Sequence, residues 1–374
     1  MELNAWLADT LNKTEAKIAA VCERLGDKIP YIPIDGRYVD QGEQNISWWT
    51  NGFWGGIMWQ LYHVTGKEIY RKSAEKHEDR LDLAFSDFIG LHHDVGFMYL
   101  YTAVANFKLT SSEMSRKRGL HAANILAGRY NSAAKYIVAW DYDAKGWMII
   151  DTMMNLPLLY WASKEAKKPH YEYIARSHAD AVIDKLLRPD GSSGHIAILD
   201  HSTGHVLENM GGQGYGQGSS WSRGQAWALY GFALSYVHSK NEMYLDIAKR
   251  TANYFIANTS HSGYIPLCDF RAPKGSALYD TTAGCIAACG LLEIADNVNE
   301  HEKHIYKDAA IDIIMAMTNK FADFDIKTDG IMGGGTTSYN DKSGHHVNII
   351  YGDYFFLEAV LRLLEKDNAI YKEI

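Results

Sequence analysis

Apolar residues along this chain follow two alternating patterns. Glu2 to Leu25 places Trp6, Leu7, Leu11, Ile18, Val21 and Leu25 at helical spacing with charges between them, which predicts an amphipathic surface helix. Asn51 to Val64 differs: it is rich in glycine and aromatics and apolar on most faces, the mark of a helix buried all round. That couplet then repeats. Lys67 to Phe85 partners Asn51 to Val64, Ser111 to Arg129 partners His92 to Ala105, and His170 to Leu187 partners Asp151 to Ser163. Glu242 to Asn258 partners Trp221 to Tyr236, and His304 to Phe321 partners Asp280 to Ala295. Gly352 to Leu364 is the last buried helix, and the first helix of the chain can serve as its partner.

Six buried and six amphipathic helices follow. An open solenoid needs polar caps at its ends, and here the terminal couplet is as apolar as the rest. A closed ring fits better. The expected fold is therefore all-α, an (α/α)6 barrel of six helical hairpins, in which residues 1–374 form a single domain. Gly55, Gly56, Gly231, Ala233, Ala283, Gly284, Ala287 and Ala288 would let inner helices approach closely.

The long links, Asn131 to Ile150, Arg188 to Ser220, Thr259 to Tyr279 and Ala322 to Tyr351, all enter inner helices, so they gather at one mouth of the ring. Gly194 to Leu199 and His205 to Glu208 read as a small hairpin around Asp200–Gly204. Met148 to Ser163 carries a single charge, Asp151, after a short apolar approach; Pro157 should kink the following helix or delay its start.

Composition narrows the function. The 374 residues are 47% hydrophobic and include 10 Trp and 24 Tyr, an excess that suits a sugar cleft, although most such rings simply pack. A formal net charge of -8 without a basic run argues against nucleic acid, yet leaves an anionic sugar possible if the pocket is locally positive. Cys22, Cys268, Cys285 and Cys289 lack zinc-site spacing and read as core thiols. Neither a signal peptide nor an apolar run of membrane-spanning length is visible, so a cytoplasmic location without a membrane partner is expected. Monomer and homodimer both remain open.

Polar residues mark the inner-helix starts: Thr50-Asn51, His93-Asp94, Asp151, Arg223-Gln225, Asp280-Thr281-Thr282 and Asp353. Two carboxylates facing one pocket is a layout for general acid/base work on a sugar. One of them must hold a proton near neutral pH, and an apolar setting such as Ile149, Ile150, Met153 and Met154 around Asp151 favours that. Capping competes with catalysis at such positions; Asp280 and Asp353 fit it better than Asp94 and Asp151 do.

The motifs SWWTNGFWGG (47–56), HHDVGFMY (92–99), AWDYD (139–143), MIIDTMMNLPLLYWA (148–162), SSWSRGQAWALYGFAL (219–234), DTTAGCIAACGLLEIA (280–295) and YGDYFFLEAVLRL (351–363) resemble those of the unsaturated glucuronyl hydrolases, glycoside hydrolase family 88, in the same order from about residue 40 to 365. That resemblance implies an (α/α)6 barrel, and an unsaturated oligosaccharide or disaccharide from a polysaccharide lyase as substrate. The reaction it implies is hydration of the vinyl ether in the terminal Δ4,5-unsaturated uronic acid. It implies Asp151 as general acid/base, Asp94 as the second essential carboxylate, and no metal or organic cofactor. Trp48 and Trp140 match ring-stacking tryptophans, His93 a pocket histidine, Gln213 and Arg223 contacts to the uronate, and Trp221 and Trp227 aromatics of the approach. His195 matches the histidine of the 190s loop, but there the chain reads GHIAILD where relatives have a His-Thr-Phe-Tyr-like run, and GGQGYGQGSS is richer in glycine than usual. Residues 336–348, TTSYNDKSGHHVN, fall where some relatives recognise sulfated sugars, with Ser338, Lys342 and Ser343 as sulfate candidates against a solvated loop.

Three other readings stay open. A sister family of unsaturated rhamnogalacturonyl hydrolases shares the fold and chemistry. A sugar epimerase would need paired histidines on different inner helices, and His93 is the only good candidate. A non-catalytic sugar-binding protein would keep the tryptophans but have no use for Asp151 in an apolar seat.

Overall fold

Twelve principal helices alternate between an inner and an outer ring in a computed structural model that describes residues 3–87, 90–141, 143–275 and 277–366. Glu2, the first residue of the expected N-terminal helix, and Tyr142 of the AWDYD motif lie outside the described residues. The outer helices are α1 (Leu3–Leu25), α3 (Glu68–Leu81), α5 (Glu113–Gly128), α7 (His170–Lys185), α9 (Glu242–Ser260) and α11 (Glu300–Phe321). The inner ones are α2 (Phe53–Thr65), α4 (a run over 95–110 with a π turn at Leu100–Val104), α6 (Leu156–Ala166), α8 (Ser222–Ser239), α10 (Thr281–Asn297) and α12 (Ile350–Leu363). Helix α1 packs on α12, as expected from its place as the unpaired amphipathic helix.

Closure of the ring is visible in what the inner-helix starts touch. A Cβ on Gly52 would strike the backbone of Phe97 and Met98, and Asn155 accepts the Phe97 N–H. A Cβ on Gly224 would meet Ile150, Arg223 pairs with Asp280, and a Cβ on Gly352 would meet Thr282. Tyr351 closes the circuit against Trp49 and Phe53, with ring centroids 5.0 and 5.8 Å apart. All six inner helices therefore begin at the same mouth. Small residues permit the approach: a Cβ on Gly231 would sit 2.5 Å from the Met153 Cβ, too close for any side chain.

Local chemistry sets the boundaries. Pro157 delays α6, and the chain spends Ile150–Met154 in a 3-10 turn first. Helix α11 begins four residues earlier than the apolar spacing suggests, because Asn299 caps it, accepting from the His301 and Glu302 N–H groups. The expected hairpin forms, and a third strand joins it. Strands β1 (Gly146–Ile149), β2 (Ile196–Leu199) and β3 (Val206–Met210) make an antiparallel sheet in that order, with Ile149 opposite Ile196. Strand β1 and the residue after it alternate: Trp147 and Ile149 pack in a small cluster with Ile196 and Ile198, while Met148 and Ile150 face the main core. No helix among the described residues is long and apolar enough to cross a membrane.

Candidate active site

The sheet delivers the first half of the site. Strand β1 runs directly into the turn that carries Asp151, and β2 begins directly after His195. The Ile150 N–H donates to the His195 carbonyl at 3.0 Å, which fixes the two side chains on one wall. The Gln213 N–H donates to His195 Nδ1 at 3.0 Å. A neutral ring whose Nδ1 accepts must carry its proton on Nε2. That nitrogen lies 3.5 Å from Asp151 Oδ2. Both atoms are buried, and neither has a hydrogen-bond partner among the described residues. Trp221 lies against the His195 ring, with centroids 4.3 Å apart. Asp151 lies inside the 3-10 turn Ile150–Met154, whose N-cap position is Ile149, so it is not the capping residue there.

The second half comes from the start of α4. His93 is fully buried, its Nδ1 paired with the Thr152 hydroxyl at 2.9 Å and its Nε2 3.3 Å from Asp94 Oδ2. Burial first, then the neighbouring His92 and Arg129, hold the His93 imidazole neutral, well below its ordinary range. His92 is likewise pushed down to about 4, by burial and then by Arg129. Trp140 meets the His93 ring edge-on at 5.4 Å. Asn155 ties the halves together: its Nδ2 donates to Asp94 Oδ1 and to the Asp151 carbonyl, each at 3.3 Å. The carboxylate that burial pushes up is Asp94, with the Asp151 charge as the second cause; both hold it well above the usual range. Within the pair the proton is thus favoured on Asp94.

Other expected site residues take different parts. Trp48 is half-buried beside Tyr31 at 5.6 Å, with its indole N–H unpartnered among the described residues. Trp227 is fully buried between Phe97 and Phe355, also with an unpartnered N–H, so it lies beneath the pocket rather than on a surface approach. Arg223 already holds a carboxylate, that of Asp280, which also caps α10 through the Thr282 N–H. It further donates to the Thr336 and Thr337 carbonyls and stacks on Trp221. Burial opposes the Arg223 charge, but Asp280 more than restores it and the guanidinium titrates above its ordinary value. Gln213 Nε2 donates to the same Thr337 carbonyl at 2.7 Å. Asp353 is structural, accepting from the Ile331 and Met332 N–H groups, and burial raises it to about 6.

Sequence reasoning passed over Asn155, Thr152 and Arg129. Asn155 and Thr152 sit inside the motif around Asp151, but only the fold shows what they reach. His92, His93 and Asp94 are, among the described residues, the one group of three that could present metal ligands, their donor atoms lying within 4.8 Å. A separate cavity of about 690 Å3 between Phe85, His121 and Tyr130 contains none of the expected site residues.

No family model matches the chain. Individual relatives do. It is 37% identical over 354 residues to an unsaturated glucuronyl hydrolase of Bacillus sp. strain GL1, covering 91% of this chain and 92% of that protein. It is 33% identical over 337 residues to an unsaturated chondroitin disaccharide hydrolase of Streptococcus pneumoniae, covering 86% and 83%.

The chain belongs to the unsaturated glucuronyl hydrolase family.

Solved structures agree. The Bacillus sp. GL1 unsaturated glucuronyl hydrolase, described as responsible for degradation of glycosaminoglycan, superposes with a TM-score of 0.88 at 34% identity, over 96% of this chain and 98% of that one. A family structure carrying an aspartate-to-asparagine change and named with dGlcA-Glc-Rha-Glc gives 0.88 at 33% identity, over 96% and 97%. The present chain is accordingly a glycoside hydrolase with the (α/α)6 barrel of an unsaturated glucuronyl hydrolase.

Proposed function

We propose that this hydrolase hydrates the C4=C5 double bond of a Δ4,5-unsaturated uronic acid at the non-reducing end of a lyase-generated oligosaccharide. The observation that carries the reading is the buried Asp94–Asp151 pair, bridged by Asn155 and flanked by His93 and His195. Two carboxylates in one low-dielectric pocket do not both ionise cheaply, so the pair retains one proton. The substrate carboxylate adds a further negative charge and strengthens that retention.

The pair's proton, favoured on Asp94 in the empty site, passes to Asp151, which delivers it to C4 and then takes one from the water that adds at C5. The hemiketal so formed opens to a ketone and expels the aglycone from C1. Asp94, held through Oδ1 by Asn155 and with His93 Nε2 3.3 Å from its Oδ2, orients the sugar and Asp151. His195 directs its Nε2–H towards Asp151 Oδ2, 3.5 Å away. Trp48 and Trp140 supply ring faces. Arg223 and Gln213 hold the 336–348 segment at the mouth through Thr337, and whatever they give the uronate is added to that duty. The reaction needs only a proton donor and water.

The test is loss of ultraviolet absorbance of the conjugated C4=C5–carboxylate. The panel spans unsaturated disaccharides from hyaluronan, chondroitin, heparin, gellan and rhamnogalacturonan. Turnover of glycosaminoglycan or gellan members, abolished in Asp151→Asn with binding retained, is the expected result. Turnover of the rhamnogalacturonan member alone would move the enzyme to the sister chemistry. No turnover would refute the reading.

A further inference from the structure

Asp94 stands in the N-cap position of the helical run that begins at Val95, yet its side chain makes no capping bond. In that position a carboxylate normally takes an N–H of the first turn, and a carboxylate so engaged is stabilised as an anion and aimed at the helix. Here the Phe97 N–H is taken instead by Asn155 Oδ1, at 2.8 Å, from the neighbouring inner helix. Asn155 is itself at the N-cap of α6 and does not cap its own helix. Its side chain is fully buried, and every polar atom on it is engaged, with Phe97 and Asp94 of the neighbouring helix start and with the Asp151 carbonyl of its own turn.

The donor at Phe97 also decides which way the amide points. An N–H must meet the oxygen, so Nδ2 must face Asp94 Oδ1 and the Asp151 carbonyl. Space for this contact is reserved. A Cβ on Gly96 would lie 2.5 Å from Asn155 Oδ1 and 2.8 Å from its Cα.

We propose that Asn155 is a positioning residue that caps the Val95 helix in place of Asp94, freeing the Asp94 carboxylate for the reaction and aligning it with Asp151. This rests on the reading that these two aspartates carry the chemistry. The donation to Asp94 Oδ1 also tempers a proton affinity that burial and Asp151 raise. The other groups facing Asp94 are His92 and His93 from its own segment and Arg129 from the end of α5, with His178 and His195 behind His93.

The test compares Asn155→Asp and Asn155→Leu with the wild type on one unsaturated disaccharide across pH. Asn155→Asp keeps the shape and an acceptor for Phe97, but returns the donor only while its own carboxyl holds a proton. Its kcat relative to wild type should therefore approach unity near about pH 5 and fall at least ~10-fold by about pH 8, with KM changed far less. Asn155→Leu should lose ~100-fold in kcat with no recovery at low pH. Should the leucine variant fail to fold, the aspartate variant decides alone. A merely structural role gives a ratio that does not vary with pH, and that result in an active background overturns this inference alone. A wild type inert on every disaccharide overturns the functional reading along with it.

Discussion

Replacing Asp280 by Asn removes one charge and almost no volume, which isolates the worth of the buried pair with Arg223. Both side chains are essentially inaccessible, at 1% for Arg223 and 0% for Asp280. Asp280 Oδ1 accepts from the Thr282 N–H, the Thr282 hydroxyl and the Thr336 N–H, and asparagine keeps that oxygen. Oδ2 becomes an NH2 facing a guanidinium, donor against donor. Breaking a buried pair by removing one partner costs about 3–5 kcal/mol. Arg223 keeps the Thr336 and Thr337 carbonyls and the faces of Trp221 at 4.4 Å and Tyr351 at 5.4 Å, which places the loss near the lower bound, about 3 kcal/mol. Asp280→Ala also loses the cap of α10, about 1 kcal/mol more. Urea unfolding followed by tryptophan fluorescence reads both differences from the shift in midpoint at constant slope. An Asp280→Asn midpoint matching wild type would show that the carbonyls and rings alone satisfy the guanidinium, and would refute the argument.

Stability should fall as the solution is acidified from about pH 6.5 towards 4. Burial is the first cause in each of four histidines held neutral in the fold: His77 and His92 are pushed down to about 4, His178 to about 3, and His93 well below its ordinary value. Each takes up a proton only on unfolding in that window, a contribution present at higher pH and lost as pH falls. Asp94 and Asp353 act oppositely, since burial raises both and the fold keeps their protons; their contribution is lost as pH rises. Four histidines against two carboxylates leave a net uptake of protons on unfolding, so stability should rise with pH across this window, and a flat or inverted profile in urea would contradict it. At the mouth, Asp341 is held anionic first by the Ser343 hydroxyl and then by the Ser343 N–H, so the serine expected to meet a sulfate is engaged by a carboxylate. Asp341→Asn should raise kcat/KM for a sulfated over an unsulfated disaccharide by ~3-fold at low salt, less at high salt; an unchanged ratio would exclude this carboxylate from selection.

What the chain reveals before folding is whatever depends on neighbours in sequence. The six couplets are legible because a helix buried all round and a helix buried on one side differ in periodicity, and Pro157 announces a late start. Asp280 and Asp353 read correctly as structural. What stays hidden is set across the ring. Strand β1 is four residues long, too short to separate from the apolar approach to Asp151, and it becomes a strand only because β2 lies beside it. Arg223 offers itself as a free partner for an acid until Asp280, 57 residues away, is seen to hold it. Asn155 looks like one polar residue in an apolar helix until Phe97 and Asp94 are brought to it.

The mouth also bears on how a chain of net charge -8 would receive the uronate proposed as its substrate. The inner helices start together there, and each start brings the positive end of a helix dipole, worth ~0.3–1 kcal/mol towards a nearby anion. Those same dipoles favour ionised aspartates, which would leave no proton for the reaction. Burial and the mutual repulsion of Asp94 and Asp151 work the other way, and at Asp94 they win. In the proposed reaction the ring would therefore supply an attractive field for the substrate carboxylate, while the pair would keep the proton that the double bond receives.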